Sequence, residues 1–330
     1  MDWTRIITNA LEASIGIQAV VFALAAIGLN VHFGYTGLLN FGQSGFLAVA
    51  AYGMAVTVQT FDLSLWLGIA IGLGASVLLA LLLGVPTLRL RADYLAIVTI
   101  AAAEIIRLVV RSVTFEDTLG GSDGRQSFSE DFYALNPYPD GRYDIGRFGF
   151  NESQMWVLTV GWILVGLSCL VVYLLMRSPW GRVLKAIRED EDAVRSLGKN
   201  VYAYKMQSLI IGGVLGCLGG FIYGLGQNSI QPDIFGTDTT FFAYTVLILG
   251  GAARVGAPVV GAMIFWVLLS LTDNILNEAI DAGHISASVI NNTQVGQFRF
   301  MLVGLLLMLL MIFRPQGIFG DRREIALDAR

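Results

Sequence analysis

The chain has 330 residues, 55% of them hydrophobic and 14% charged, with a formal net charge of -4. A soluble domain carries about 25% charged residues, and a single core of this size could not bury so large an apolar excess. A soluble globular protein is therefore excluded, lipid is the solvent the composition calls for, and the mild charge gives no basis for nucleic acid as a partner.

Residues 1–14 carry one basic residue, Arg5, and no small-residue cleavage box, so they do not read as a cleavable leader. Trp3, Ile7, Leu11 and Ser14 fall on one helical face, which predicts an amphipathic helix at the membrane interface. A transmembrane domain over 15–313 follows. Its candidate spans are 15–33, 41–58, 65–85, 94–110, 155–176, 206–226, 241–252, 255–271 and 298–313. The predicted class is an all-α polytopic membrane protein with about eight to ten crossings. The spans 41–58 and 241–252 are short or glycine-interrupted, which predicts broken helices.

Basic residues set the orientation. The segment 177–205 holds Arg177, Arg182, Lys185, Arg188, Arg195, Lys199 and Lys205 and is placed in the cytoplasm. Arg89, Arg91, Arg254 and the tail 314–330, with Arg322 and Arg323, belong on the same side. The stretch 114–154 carries eight acidic residues, from Glu116 to Glu152, against Arg125, Arg142 and Arg147. It is placed outside, as an ordered loop or small cap.

Gly212, Gly216, Gly220 and Gly224 recur on one helical face, where small residues let a second helix approach closely in lipid. Two other clusters, 34–45 and 250–258, interrupt apolar sequence with glycine and polar residues. Either they are broken helices in corresponding places of an inverted repeat, beside a passage, or they are tight turns at the membrane surface. Glu104 and Arg107 are spaced to pair on a helix face turned towards protein. That pair either anchors the helix end or takes part in the passage.

Cys169 and Cys217 lie in apolar runs and His32 and His284 stand far apart. All four read as packing residues, so neither a disulfide nor a metal site is predicted. There is no proton-relay cluster, no G-x-x-x-x-G-K-[ST] loop and no nucleophile–base pairing. No catalytic residue is predicted, and energy for active transport would come from another chain.

The cytoplasmic segment reads as two short helices. Ser178 is an N-cap and Pro179 suits the first turn. Trp180, Leu184 and Ile187 share a face away from Arg182, Lys185 and Arg188. Residues 189–192 begin a second helix through Ala193, Val194 and Leu197, stopped at Gly198. Such a pair between two spans is a docking surface.

The run Ser178-Pro179-Trp180-Gly181-Arg182, then Ala186-Ile187-Arg188-Glu189-Asp190-Glu191, then Ala193 through Leu197-Gly198 resembles the coupling loop of LivM-type permeases. These are subunits of bacterial ATP-driven importers for branched-chain amino acids. Residues 36–43 (T-G-L-L-N-F-G-Q), 88–99 (L-R-L-R-A-D-Y-L-A-I-V-T), 104–107 (E-I-I-R), 249–251 (L-G-G) and 314–320 (R-P-Q-G-I-F-G) extend the likeness over nearly the whole chain. The resemblance implies a LivH-type partner permease, two ATPase subunits that use the ATP, an extracytoplasmic binding protein and a bacterial plasma membrane. The chain itself would need no cofactor.

On that reading Gly181, Arg182, Ala186, Ile187, Arg188, Ala193 and Gly198 face the ATPase. The general importer motif E-A-A-x-x-x-G is matched only loosely, by Asp192-Ala193-Val194 and Gly198. An apolar passage for a branched-chain amino acid would need a few groups to receive the substrate's carboxylate and ammonium, and Asn40, Gln43, Tyr52, Tyr94 and Thr99 are the candidates. Gly37, Gly42, Glu104, Gly250 and Gly251 join them as path residues. Importers of urea or short amides resemble the chain too, and a self-sufficient secondary transporter would share its composition.

Overall fold

A computed structural model describes residues 3–89, 92–145, 148–281, 295–314 and 316–320. Helix α1 is Trp3–Ile15. Helix α2, Ile17–Leu29, runs on into a π-helical stretch, Asn30–Tyr35. Then come α3 (Gln43–Gln59), α4 (Leu65–Thr87) and α5 (Ala92–Arg111). The short helices α6 (Glu116–Leu119) and α7 (Glu130–Tyr133) belong to the outer stretch. They are followed by α8 (Glu152–Arg177), α9 (Pro179–Glu189), α10 (Glu191–Ser196), α11 (Val201–Gln227), α12 (Thr237–Gly250), α13 (Ala257–Asp281) and α14 (Val295–Phe313). Each predicted span coincides with a helix, and among the described residues five helices are long and apolar enough to cross a membrane. His284, Arg91, Arg322 and Arg323 lie outside the described residues.

Two crossings are incomplete. The 17 residues of α3 and the 14 of α12 give only about 25 and 21 Å of helix at 1.5 Å per residue, short of a core of about 30 Å. Non-helical backbone supplies the rest. Residues 36–42 lead into α3, and a 3-10 turn at Pro232–Phe235 leads into α12. Of the two readings open for 250–258, a broken helix or a tight turn, the turn holds. That stretch is the turn between α12 and α13, with Gly251 and Ala253 at positive φ. The break lies ahead of α12, where Asn228 at the end of α11 also takes positive φ.

The outer stretch is tied down at both ends. Strand β1 (Arg125–Gln126) pairs antiparallel with β4 (Ser229–Ile230), and β2 (Arg142–Ile145) pairs with β3 (Phe148–Asn151). A capping box between Asn151 and Gln154 then starts α8, satisfying backbone donors that the helix itself leaves open.

Helix α11 packs between α2 and α3 on its glycine face. A Cβ on Gly212 would strike the His32 ring and the backbone of Gly28, and one on Gly220 would strike the Leu47 carbonyl. The predicted close approach is therefore real, and it makes α2 the most enclosed span, 83% buried. Replacing Gly220 by valine is expected to cost about 1–3 kcal/mol through overpacking. A lowered unfolding temperature of the purified protein would register it.

Helix α1 lies along α13 at the outer side, with Asn9 Nδ2 donating to Asn274 Oδ1 at 3.1 Å. Ile6, Ala10 and Ser14 are buried, while Trp3, Ile7 and Leu11 are exposed. Ser14 thus leaves the face predicted for it, and Trp3, Ile7 and Leu11 form an apolar stripe that this chain leaves exposed. At the other side the tail caps α12. The N–H groups of Ile318 and Phe319 donate to the carbonyls of Leu249 and Gly250 at 3.0 and 2.9 Å, the orphan acceptors of a helix end.

Candidate translocation site and coupling elbow

Past Tyr35 the chain turns back on itself. The Leu38 N–H donates to the His32 carbonyl at 2.9 Å, so residues 36–42 re-enter the membrane domain beside the π-helical stretch. Backbone of this kind inside a membrane protein must be buried and paired, and this segment is. Asn40 holds it. Its backbone N–H donates to the Tyr244 hydroxyl at 3.1 Å, and that hydroxyl donates to the Asn40 carbonyl at 3.0 Å. Its side-chain oxygen accepts from Gly42 N at 3.0 Å, and its amide nitrogen faces His32 Nδ1 at 3.1 Å and Gln43 Oε1 at 3.2 Å.

The tautomer of His32 follows. His32 Nε2 lies 3.1 Å from the Leu209 carbonyl, which can only accept, so Nε2 carries the proton. Nδ1 of the neutral ring is then an acceptor for Asn40. A protonated ring would set two donors against each other. His32, expected as a packing residue, is a hub of this network. Thr36 and Ser208 extend it, their hydroxyls 2.6 Å apart.

The interrupted crossings of α3 and α12 lie side by side and run antiparallel. Ser44 N donates to Thr240 Oγ1 at 2.9 Å. Below this point Phe41 lies tilted against Tyr244 with ring centres 4.9 Å apart, and above it Tyr52 meets Phe235 at 6.1 Å. On the opposite flank Phe41 N donates to Thr99 Oγ1 at 3.0 Å, and Gly42 packs against the Thr99 backbone.

Asn40, Gly42, Gln43 and Thr99 are thus brought together as a buried lock, its polar side chains paired except for Gln43 Nε2, which has no partner among the described residues. The other predicted path residues lie elsewhere. Gly37 touches Arg188, Tyr94 is exposed at the start of α5, and Gly250 and Gly251 pack against Gly261 and the tail. Glu104 sits on the outer half of α5. Arg107 binds it with Nε at 3.0 Å and Nη2 at 2.5 Å, the predicted pairing. Sequence spacing missed the third party. Asp233, in the 3-10 turn, accepts from Arg107 Nη1 at 2.8 Å and Arg111 Nη1 at 2.9 Å. A charged residue at the centre of a lipid-facing helix costs about 2.5–3.5 kcal/mol on insertion scales, so this face of α5 does not look onto lipid.

The elbow α9–α10 is built as two capped helices. Pro179 occupies the first turn, and Asp190 caps α10 through Ala193 N at 2.9 Å. Ser178 stands at the N-cap position, but its hydroxyl donates back to the Leu175 carbonyl at 2.6 Å. Glu191 pairs with Arg195 at 2.8 Å and also with Lys205, fixing α10 to α11. Two of the residues expected to meet an ATPase turn inward. Gly181 abuts the Met176 backbone and Ile187 is buried. The apolar stripe of α9 packs on its own membrane domain. Arg182, Ala193 and Gly198 are exposed, Ala186 half so. Leu197 is 80% exposed at the tip, a large apolar side chain with no cover in this chain.

The elbow touches the lock. Arg188 Nη1 donates to the Gly34 carbonyl at 2.6 Å, and Lys185 Nζ lies 5.6 Å from the centre of the Tyr35 ring. Gly37, at φ +73°, fits under the Arg188 stem, where a Cβ would lie 3.2 Å from its Cγ. A push on α9 therefore reaches residues 34–37, and through Asn40 it reaches α3 and α12.

Interrupted helices around a locked re-entrant segment, with a capped helical elbow beneath, define a multi-pass membrane protein of the permease class. Residues 13–313 match the family described as branched-chain amino acid transport system / permease component, and the chain belongs to that family. It is 29% identical to the high-affinity branched-chain amino acid permease protein LivM of Salmonella typhimurium, over 94% of this chain and 71% of that one. It is 24% identical to the probable LivM of Methanocaldococcus jannaschii, covering 92% and 91%. A nucleoside permease protein, NupC of Lactococcus lactis, is 26% identical over 71% of this chain and 73% of its own.

Proposed function

We propose that this chain is the LivM-type membrane subunit of an ATP-driven importer in a bacterial plasma membrane, moving branched-chain amino acids inward. It is not an enzyme and needs no cofactor of its own. Two separate ATPase subunits use the ATP, a LivH-type permease shares the passage, and an extracytoplasmic binding protein delivers the ligand. The contact of Arg188 with Gly34 carries the reading, because it joins a surface elbow to an intramembrane break. In such a machine ATP reorders the free energies of two states, one open to each side.

The elbow presents Arg182, Ala193, Leu197 and Gly198 to an ATPase. Gly181 and Ile187 face the other way, and Arg188, exposed on α9, reaches the Gly34 carbonyl and passes the movement on. Asn40, Gly42, Gln43 and Thr99 hold the hinge of the gate. Leucine, valine, urea and a nucleoside, each labelled, offered to cells with and without the gene, form the test. Loss of leucine and valine uptake alone is expected. Loss of urea or nucleoside uptake with leucine intact would replace the substrate, and loss of none would overturn the assignment.

A further inference from the structure

The exposed faces of the spans are not alike. On α4 the outward residues include Leu78 and Leu82, and on α8 Leu170 and Leu174. Neither helix carries a charge between its ends. On α5 the outward residues Ile97, Ala101, Ile105 and Leu108 flank Glu104 and Arg107. Glu104 stands about 10 Å, two helical turns, below the end of α5 at Arg111. Its side chain is 38% exposed and that of Asp233 is 63% exposed. A carboxylate too short to reach the interface has no reason to face lipid.

Beside this group is a polar atom with no partner. The Tyr52 hydroxyl is buried and has no hydrogen bond among the described residues. The Tyr52 ring meets Phe235 of the same 3-10 turn as Asp233, with ring centres 6.1 Å apart.

We propose that Glu104, Arg107, Arg111, Asp233 and Tyr52 form the binding subsite for the α-ammonium and α-carboxylate groups of the transported amino acid. The exposed apolar residues of α5 form the wall for its side chain. This rests on the import function proposed above and moves the polar recognition away from Asn40, Gln43 and Thr99, which are buried inside the fold, to charged groups exposed on α5 and on the turn before α12. The substrate carboxylate takes the guanidinium groups that Asp233 now holds. Its ammonium takes Glu104 and the freed Asp233, with the Tyr52 hydroxyl as a further partner. No covalent bond changes. The exchange also cuts the tie between α5 and the turn 232–235, so occupancy loosens the outer end of α12.

The test uses the complete reconstituted importer with Cys169 and Cys217 replaced by alanine. Single cysteines are placed by Ala101→Cys and Leu108→Cys on α5, and by Leu78→Cys and Leu170→Cys on the apolar faces. A charged, water-soluble methanethiosulfonate is expected to modify the α5 pair and block uptake, with leucine protecting. The other two should react only with an uncharged maleimide. Glu104→Gln should raise KM for leucine about tenfold, the loss of a charged hydrogen bond, and leave the maximal rate nearly unchanged. If the α5 cysteines resist the charged reagent, or leucine gives no protection, or Glu104→Gln lowers only the rate, the subsite is refuted while leucine import by the parent importer still stands. If the parent importer moves no leucine, the import function itself falls, and the subsite with it.

Discussion

Asn40→Leu is expected to abolish transport and to lower stability by on the order of 3–5 kcal/mol, read as a shift in denaturant or thermal midpoint of the purified protein. The substitution keeps the branched skeleton, with bulkier methyl groups, and removes the polar atoms. It leaves His32 Nδ1, Gln43 Oε1 and the Gly42 N–H buried without the partners they have now. Each orphaned buried group costs about 1–3 kcal/mol, and lipid offers no water to replace the lost bonds. The contacts of Tyr244 are to the Asn40 backbone and do not depend on its side chain. Tyr244→Phe is the graded companion: it removes one hydroxyl that both donates and accepts, and is expected to cost less. Equal stability of Asn40→Leu and the parent protein would show that the re-entrant segment is held by something other than this network.

The second large effect is expected at Arg188. Arg188→Glu should leave ATP hydrolysis by the assembled importer in place and reduce uptake at least about tenfold, since it removes a charged hydrogen bond to a carbonyl. Helix α9 should still form, because its packing runs through Gly181, Leu184 and Ile187, not through this side chain. What is lost is the link to Gly34, between the elbow and the break. Leu197→Ala provides the contrast. A tip residue that docks on the ATPase should lower hydrolysis and uptake together. Parallel loss in Arg188→Glu would place that residue at the ATPase surface instead.

Much of this architecture was legible from local pattern. Apolar run length located the helices, and the repeat of Gly212, Gly216 and Gly220 marked the face on which α2 and α3 press. The elbow was legible because caps and periodicity are local signals. What escaped was long-range. Asp233 joins Arg107 across a large sequence separation, and no spacing rule announces it. His32 looked inert because its partners, Asn40 and the Leu209 carbonyl, meet it only in the fold. Glycine alone left 250–258 open between a break and a turn, and there it serves a turn and helix packing. The break ahead of α12 is instead written in Asn228, Gln231 and Pro232, a polar and proline interruption without glycine beyond Gly236. The amphipathic face of α9 was read as a docking face, but its apolar stripe closes on its own chain and leaves Leu197 as the apolar contact at the tip.

The most direct test is leucine accumulation in proteoliposomes that contain this chain with its partner permease, ATPases and binding protein, measured with and without ATP on the ATPase side. Accumulation should require ATP and vanish with a nonhydrolysable analogue. Concentration of leucine by this chain alone on an ion gradient, with no nucleotide, would contradict the account.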